Sequence, residues 1–270
     1  MNREPESILS EYLNRPRALT DEFVKNFPWD RIKLEAIDHR LIPILQYMRN
    51  IETLTEVYFE ELRRTPTYRN PVVKTFMEHW REEEAQHGIL LDRFLAEAGF
   101  PSPENWVQGL RKEIPFRYRF DSGFSALVSR LVGKNFSAVH LLWGAINEMV
   151  TLQGYRRLDE LAGHSLLGRL LKGIMSEEAI HIFFYFNMGS HFLKSRFAQK
   201  VARAVITRYW QPVGSGIRPA EETNLVSRVL FGESQALRSL SKQVDGRIRT
   251  LPGFADFDTI GRVVGGAMAA

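Results

Sequence analysis

Read by threes and fours, the chain carries two rows that are apolar except where a glutamate and a histidine interrupt them. The first runs Val73, Met77, Trp80, Glu84, His87, Leu91, Phe94, and the second Leu167, Leu171, Ile174, Glu178, His181, Tyr185, Met188. This spacing is one face of an amphipathic helix, and such a face turns to the core. Two more rows hold a single charge each: Leu45, Met48, Glu52, Thr55, Phe59, Leu62, and Leu141, Ala145, Glu148, Thr151, Tyr155, Leu158. Four long helices are therefore predicted. Pro43 suits the first turn of the first, which should run to about Arg64 and stop before Pro66. Asn70-Pro71 caps the second, which continues to Gly99. The third ends near Gly163. The fourth begins at His164-Ser165 and runs at least to Gly189, with a kinked continuation to Tyr209 allowed by the pattern.

Around these lie weaker patterns. Residues 1–42 read as short helices broken at Pro16, Pro28 and Pro43, packed across the outside. Ser102-Pro-Glu opens a short helix ending before Pro115, residues 115–123 form a connection, and 124–133 make a helical lead-in bent around Gly133. Pro212-Val-Gly-Ser-Gly-Ile-Arg-Pro219 is the best linker candidate. Three helical pieces follow it, from Pro219, from Glu233 to about Arg249, and from Phe257 to Ala269, an accessory layer in which no separate chemistry is visible. Long helical periods and the lack of a Gly-rich phosphate loop predict an all-α protein. At 270 residues and 44% apolar content, a single domain is the simplest reading, with a core over about 40–192 and the accessory layer over 212–270.

Composition narrows the chemistry. With no cysteine, disulfides and thiolate metal sites are excluded and a reducing cytoplasm is expected. No apolar stretch reaches the roughly 18 residues of a membrane span, and the charged Met1-Asn-Arg-Glu start lacks a signal core. Between 191 and 250, eleven basic residues stand against four acidic ones, a local +7 in a chain of net +4. A solvated helix face explains this, and an acidic partner is the alternative. Nucleic acid is not expected, because no aromatic stacking platform interleaves the charges.

The candidate site comes from the interrupted stripes. A carboxylate on a core-facing row is costly unless something positive meets it. One buried Glu bonded to its own i+3 His would explain either pair alone. Two pairs call for a joint explanation, a di-metal carboxylate site in which each Glu-x-x-His faces a lone Glu. In an antiparallel hairpin, residues equidistant from the loop share a height. Gly163 is the midpoint of Glu148 and Glu178, and position 68, inside Thr65-Pro-Thr-Tyr-Arg-Asn70, is the midpoint of Glu52 and Glu84. Glu56, one turn on, is the minority choice for Glu52. The expected metal ligands are thus Glu52, Glu84, His87, Glu148, Glu178 and His181, a set repeated at offsets of 96 and 94 residues. Four carboxylates balance two divalent ions, and carboxylate with imidazole suits iron or manganese.

Glu83-Glu84-Ala-Gln-His87-Gly88, followed by Leu90-Leu91-Asp-Arg-Phe94-Leu95, and Glu148-Met-Val-Thr151 resemble the ferritin-like di-iron superfamily and, within it, the acyl-[acyl-carrier-protein] desaturase family, over about residues 40–192. The resemblance implies a ferritin-like four-helix bundle holding two iron ions, or manganese or a mixed pair, with Glu84 and Glu178 bridging, Glu52 and Glu148 terminal, and one histidine per metal. It also implies O2-dependent oxidation of an acyl chain, by desaturation of a carrier-bound thioester. The expected partners are an acyl-carrier protein or another small-molecule carrier, an external electron donor such as a ferredoxin, and a second copy of the chain as a homodimer. Ala85-Gln86 stands where the family has Asn-Arg. Hydroxylation or N-oxygenation of another small molecule, and non-catalytic metal binding, remain as alternatives.

Thr151, one turn after Glu148, is the catalytic candidate, its hydroxyl serving the metals or bonding back to its own helix. Trp80, Tyr155 and Tyr185 share the ligand stripes as core packing or as electron carriers. Leu141, Ala145, Phe59 and Leu91 read either as walls of a substrate cavity or as ordinary core residues. His140, Glu83 and Glu177 are candidates for contacts behind the ligands.

Overall fold

The computed structural model describes residues 3–115 and 135–269. The connection expected beyond Pro115 and the lead-in expected over 124–133 lie outside the described residues. Among those described, every regular element is helical. In order these are α1 (Pro5–Asn14), α2 (Asp21–Asn26), α3 (Ile42–Leu62), α4 (Pro71–Glu97), α5 (Trp106–Lys112), α6 (Phe136–Ala162), α7 (Ser165–Phe192), α8 (Arg196–Tyr209), α9 (Ala220–Phe231), α10 (Ser234–Ile248) and α11 (Thr259–Ala269).

The four long helices begin and end where local chemistry dictates. The Asn70 side chain accepts from the amides of Val72 and Val73 at 2.9 and 3.2 Å, and Pro71 follows in the first turn of α4. Gly163, at φ +56°, stops α6 in a conformation that glycine adopts without steric cost. His164 Nδ1 then accepts from Leu167 N at 3.2 Å to start α7. The kinked extension of the fourth helix does not form. Leu193 closes α7, and the Ser195 hydroxyl, accepting from Ala198 N at 3.0 Å, opens α8 as a separate helix. A side-chain cap here satisfies amides that a continuous helix would have paired internally.

Short turns fold α3 back along α4 and α6 back along α7, and α4 meets α7 between the two hairpins. The first hairpin closes tightly at Gly88, where a Cβ would lie 2.7 Å from Thr53 Oγ1 and 3.2 Å from its amide nitrogen. One contiguous apolar cluster reaches from Ile8 in α1 to Val264 in α11. The N-terminal turns and the C-terminal layer are therefore built into the same core as the long helices. Residues 212–219 are likewise no free linker. Tyr47 donates its hydroxyl to Val213 O at 2.6 Å, Ile217 is fully buried, and Gly214 sits at φ +91° with room for no side chain against Tyr47. No helix among the described residues is long and apolar enough to cross a membrane.

Candidate metal centre

The two hairpins bring the six predicted ligands together. Glu52, Glu84, His87 and Glu178 offer ligand atoms that all lie within 4.8 Å of one another, and Glu84, Glu148, Glu178 and His181 do the same. Every one of these side chains is buried. Glu84 and Glu178 belong to both groups, while the other four belong to one each. Glu56 is in neither; it turns to Arg81 at 3.5 Å on a partly exposed face.

The donor atoms fit metal ions. Nδ1 of His87, Nδ1 of His181, Oε1 of Glu84 and both carboxylate oxygens of Glu178 are buried without a well-aligned hydrogen bond, their contacts being ion pairs among themselves, such as His181 Nδ1 to Glu84 Oε1 at 2.9 Å. Orphaned polar atoms are rare in a core because each costs desolvation free energy that nothing returns. Five in one place, all oxygen or imidazole nitrogen, could hold a hard or borderline divalent cation. Electrostatics point the same way. Burial and the charge of Glu84 push Glu52 well above the usual carboxylate range, and burial with the charges of Glu178 and Glu84 does the same to Glu148. Burial also opposes ionisation of Glu84, but bonds to Glu52 and His181 hold it well below that range. Both imidazoles are raised well above their ordinary value in spite of burial, His87 by Glu177, Glu178 and Glu84, and His181 by Glu178, Glu83 and Glu84. Protons here do part of the work of a cation.

Behind the ligands the arrangement is crossed. His87 Nε2, on α4, meets Glu177 Oε2 of α7 at 3.1 Å, and His181 Nε2, on α7, meets Glu83 Oε2 of α4 at 2.7 Å. A carboxylate on Nε2–H orients the ring and leaves Nδ1 as the metal donor. The N-terminal segment in turn holds both carboxylates. Tyr12 donates its hydroxyl to Glu83 at 2.8 Å, Arg17 Nε donates to the other Glu83 oxygen at 2.6 Å, and Leu19 N donates to Glu177 at 2.8 Å. Gln86 Nε2 closes the clasp on Leu19 O at 2.7 Å. Periodicity carries no trace of this role of residues 12–19; the one available signal was a Glu directly before the Glu of each Glu-x-x-His turn. We expect Tyr12→Phe combined with Arg17→Met to weaken metal binding about 10- to 100-fold, the usual cost of losing such outer contacts, with helicity unchanged. Competition against a chelator measures it, and an unaltered affinity would show the clasp to be irrelevant to the site.

Two of the three stripe aromatics are bonded to ligand candidates. Trp80 Nε1 donates to Glu148 at 2.9 Å, and the Tyr155 hydroxyl donates to Glu52. Tyr185 packs edge-on to Trp80, centroids 5.9 Å apart. Among the described residues His140 makes no hydrogen bond to the ligands or their supports; both ring nitrogens are buried without a partner there, and burial lowers it to about 4.

A small apolar cavity of about 60 Å³ reaches Glu52 and Thr151. Met48, Ile51, Val150 and Gly154 wall it on one side, and Leu230 and Phe231 on the other. Leu141, Ala145, Phe59 and Leu91, which their rows left as walls or as core, are packed in the core. The cavity lies under α9 and is reached from those rows only by Met48, Glu52 and Thr151. The accessory layer thus supplies half of the wall, contrary to its chemically silent appearance in the sequence. Part of the basic excess beyond residue 191 is also internal: Arg203 pairs with Asp256 at 2.6 Å, and Arg218 with Glu113 and Glu222 at 2.8 and 2.7 Å. Lys194, Lys200, Arg208, Arg228 and Arg238 are exposed. Set against protein-family models, curated proteins and solved structures, the chain matches none of them.

Proposed function

We propose that this chain is an O2-dependent di-iron oxidoreductase acting on an apolar chain, and that the reaction is desaturation of an acyl group carried as a thioester. The observation that carries the reading is the apolar cavity ending at Glu52 and Thr151, directly beside the two buried ligand groups. Glu52, Glu84, His87, Glu148, Glu178 and His181 would hold the two ions, Glu84 and Glu178 shared between them, in a ferritin-like arrangement of α3, α4, α6 and α7. A reduced di-iron pair supplies the activation of O2 and the oxidising power to break an unactivated C–H bond.

The chain itself supplies position and dryness. Carboxylates braced by Trp80 and Tyr155, and imidazoles braced by Glu177 and Glu83, keep the donor atoms where they are needed without rearrangement. The apolar walls exclude water and hold one methylene beside Glu52, and such positioning governs where a reactive oxidant acts. Thr151 presents a hydroxyl at the inner end to hold or pass a proton. The cavity of about 60 Å³ is well below the ~150 Å³ that accommodates benzene, so as it stands it admits a short apolar segment. The exposed basic residues of α8, α9 and α10 suit an acidic carrier protein, and a ferredoxin-type donor would deliver the electrons.

The test is anaerobic reduction of the iron-loaded protein followed by O2, with acyl-carrier-protein thioesters of several lengths and, in parallel, free acids and aromatic amines. A double bond in the acyl chain is expected. Oxidation confined to the amines or free acids would replace this reading with an oxygenase, and no O2 consumption with any of them would leave a metal-binding protein without catalysis.

A further inference from the structure

A second pocket, of about 310 Å³, lies between the first half of α3 and the start of α9. Gln46, Arg49, Asn50, Arg218 and Glu222 give it a polar lining. Tyr47 and Val226 line both this pocket and the apolar cavity, so the two spaces abut. Along α3, Gln46 and Glu52 are separated by roughly 9 Å at 1.5 Å per residue. A polar chamber thus borders, across Tyr47 and Val226, an apolar one that touches Glu52 and Thr151.

Three of the polar side chains that line the chamber have donors to spare, beside the acceptors of Gln46 and Glu222. Arg218, only 7% exposed, uses Nε and Nη2 on Glu222 at 2.9 and 2.7 Å and Nη1 on Glu113 at 2.8 Å. Arg49, also 7% exposed, places Nε and Nη2 on Asn50 Oδ1 at 3.1 and 2.8 Å and Nη1 on Asp92 at 3.0 Å and on Ser102. A guanidinium has five N–H groups, so two remain on Arg218 and one on Arg49. The Asn50 carbonyl is taken, which leaves its amide N–H groups. Among the described residues, the spare capacity of these three side chains is entirely donor. Asp92, Glu113 and Glu222 are three carboxylates against two cations, but Asp92 and Glu113 stand outside the lining, where Arg49 and Arg218 face Glu222 alone. Burial lowers the Arg49 pKa, Asp92 works against that shift, and the like charge of Arg218 adds a smaller lowering.

We propose that this chamber receives the acceptor-rich, anionic head, a carboxylate or a phosphate, of an amphipathic substrate whose apolar chain passes Tyr47 and Val226 to reach Glu52 and Thr151. The proposal rests on the function proposed above for what happens at the inner end; binding of the head does not depend on it. Head and reacting carbon are then separated by several methylenes, so chain position is counted from the arginines.

Calorimetry on the full chain with decanoate, decyl phosphate, decanol and decanoyl phosphopantetheine tests this. At least one anionic head should bind ten-fold or more tighter than decanol, and which one does so separates a free acid from a phosphate-bearing carrier arm. Arg218→Gln should bring the anion down to the level of the alcohol while leaving the alcohol unchanged. Because Arg218 also ties Glu113 to Glu222, Glu222→Gln is the second variant: freeing the guanidinium should tighten the anion several-fold, an effect that a loosened fold would not produce. Decanol binding as tightly as all the anions, or Glu222→Gln weakening the anion, would overturn the proposal. Tight anion binding without O2 consumption would sink the oxidoreductase reading and leave this one standing. Oxidation of acyl chains with no preference among heads would do the reverse.

Discussion

Alanine at Glu84 or at Glu178 should strip the protein of both metal ions, whereas alanine at Glu52 or Glu148 should remove one. The difference follows from membership: the first two glutamates sit in both ligand groups, and the last two in one each. Loaded anaerobically with Fe2+ or Mn2+, the wild-type chain is expected to carry two ions. Glu84→Ala and Glu178→Ala should carry fewer than one, with affinity reduced by on the order of 100-fold or more, since even the outer contacts of a metal site are worth about 10- to 100-fold. Stability provides a second reading. A ligand present at a hundred times its Kd stabilises the folded state by about 2.7 kcal/mol, and a chain of this size gains about 2–4 °C in Tm per kcal/mol. Metal should therefore raise the wild-type Tm by roughly 5–10 °C, and neither double-group variant should respond. Without metal these variants should be less stable than the wild type, because each takes a buried carboxylate away from the raised imidazoles of His87 and His181. Elemental analysis decides the matter: two ions retained at unchanged affinity in Glu84→Ala or Glu178→Ala would make the ligand assignment wrong.

The second large effect concerns the cavity. Gly154 lies in its wall, where a Cβ would stand 3.1 Å from Met48 Cε and 3.6 Å from Leu230 Cδ1. Alanine needs only a slight shift of the flexible methionine end. The further carbons of leucine have nowhere to go but into a space of about 60 Å³. Gly154→Leu is accordingly expected to lower the rate of substrate oxidation by more than about 100-fold, because displacing the walls for both leucine and substrate costs about 1–3 kcal/mol per overpacked group and each 1.36 kcal/mol is tenfold in rate. Gly154→Ala should stay within several-fold of wild type, and both variants should still bind two ions. Full turnover in Gly154→Leu with metal intact would place the substrate elsewhere. Loss of turnover together with metal would mean that the substitution had disturbed the helices instead.

These variants separate information of two kinds. The stripes, caps and loop midpoints bear on Glu52, Glu84, Glu148 and Glu178 because they depend on helical geometry, which a residue and its near neighbours determine between them. That is why α3, α4, α6 and α7 run close to their expected bounds, why Asn70 and His164 cap where they should, and why six side chains drawn from four helices converge. The end of the fourth helix was less legible, since an apolar period continues through Leu193 and the Ser195 cap competes with it on nearly equal local terms.

What the chain decided by itself was the helical pattern and the charges it had to bury: two Glu-x-x-His turns and two lone glutamates on core-facing rows leave few ways to be satisfied other than by one another and a cation. The tertiary structure alone decided what stands behind and beside them. Tyr12 and Arg17 reach Glu83 across 71 and 66 positions of sequence, Leu19 reaches Glu177 across 158, and Leu230 and Phe231 face Gly154 only because α9 docks on the flank of α3 and α6. Contacts of that range have no period to betray them. They arise when separately formed helices bury their remaining apolar faces together, and the angle at which they do so is set by the packing of the whole core.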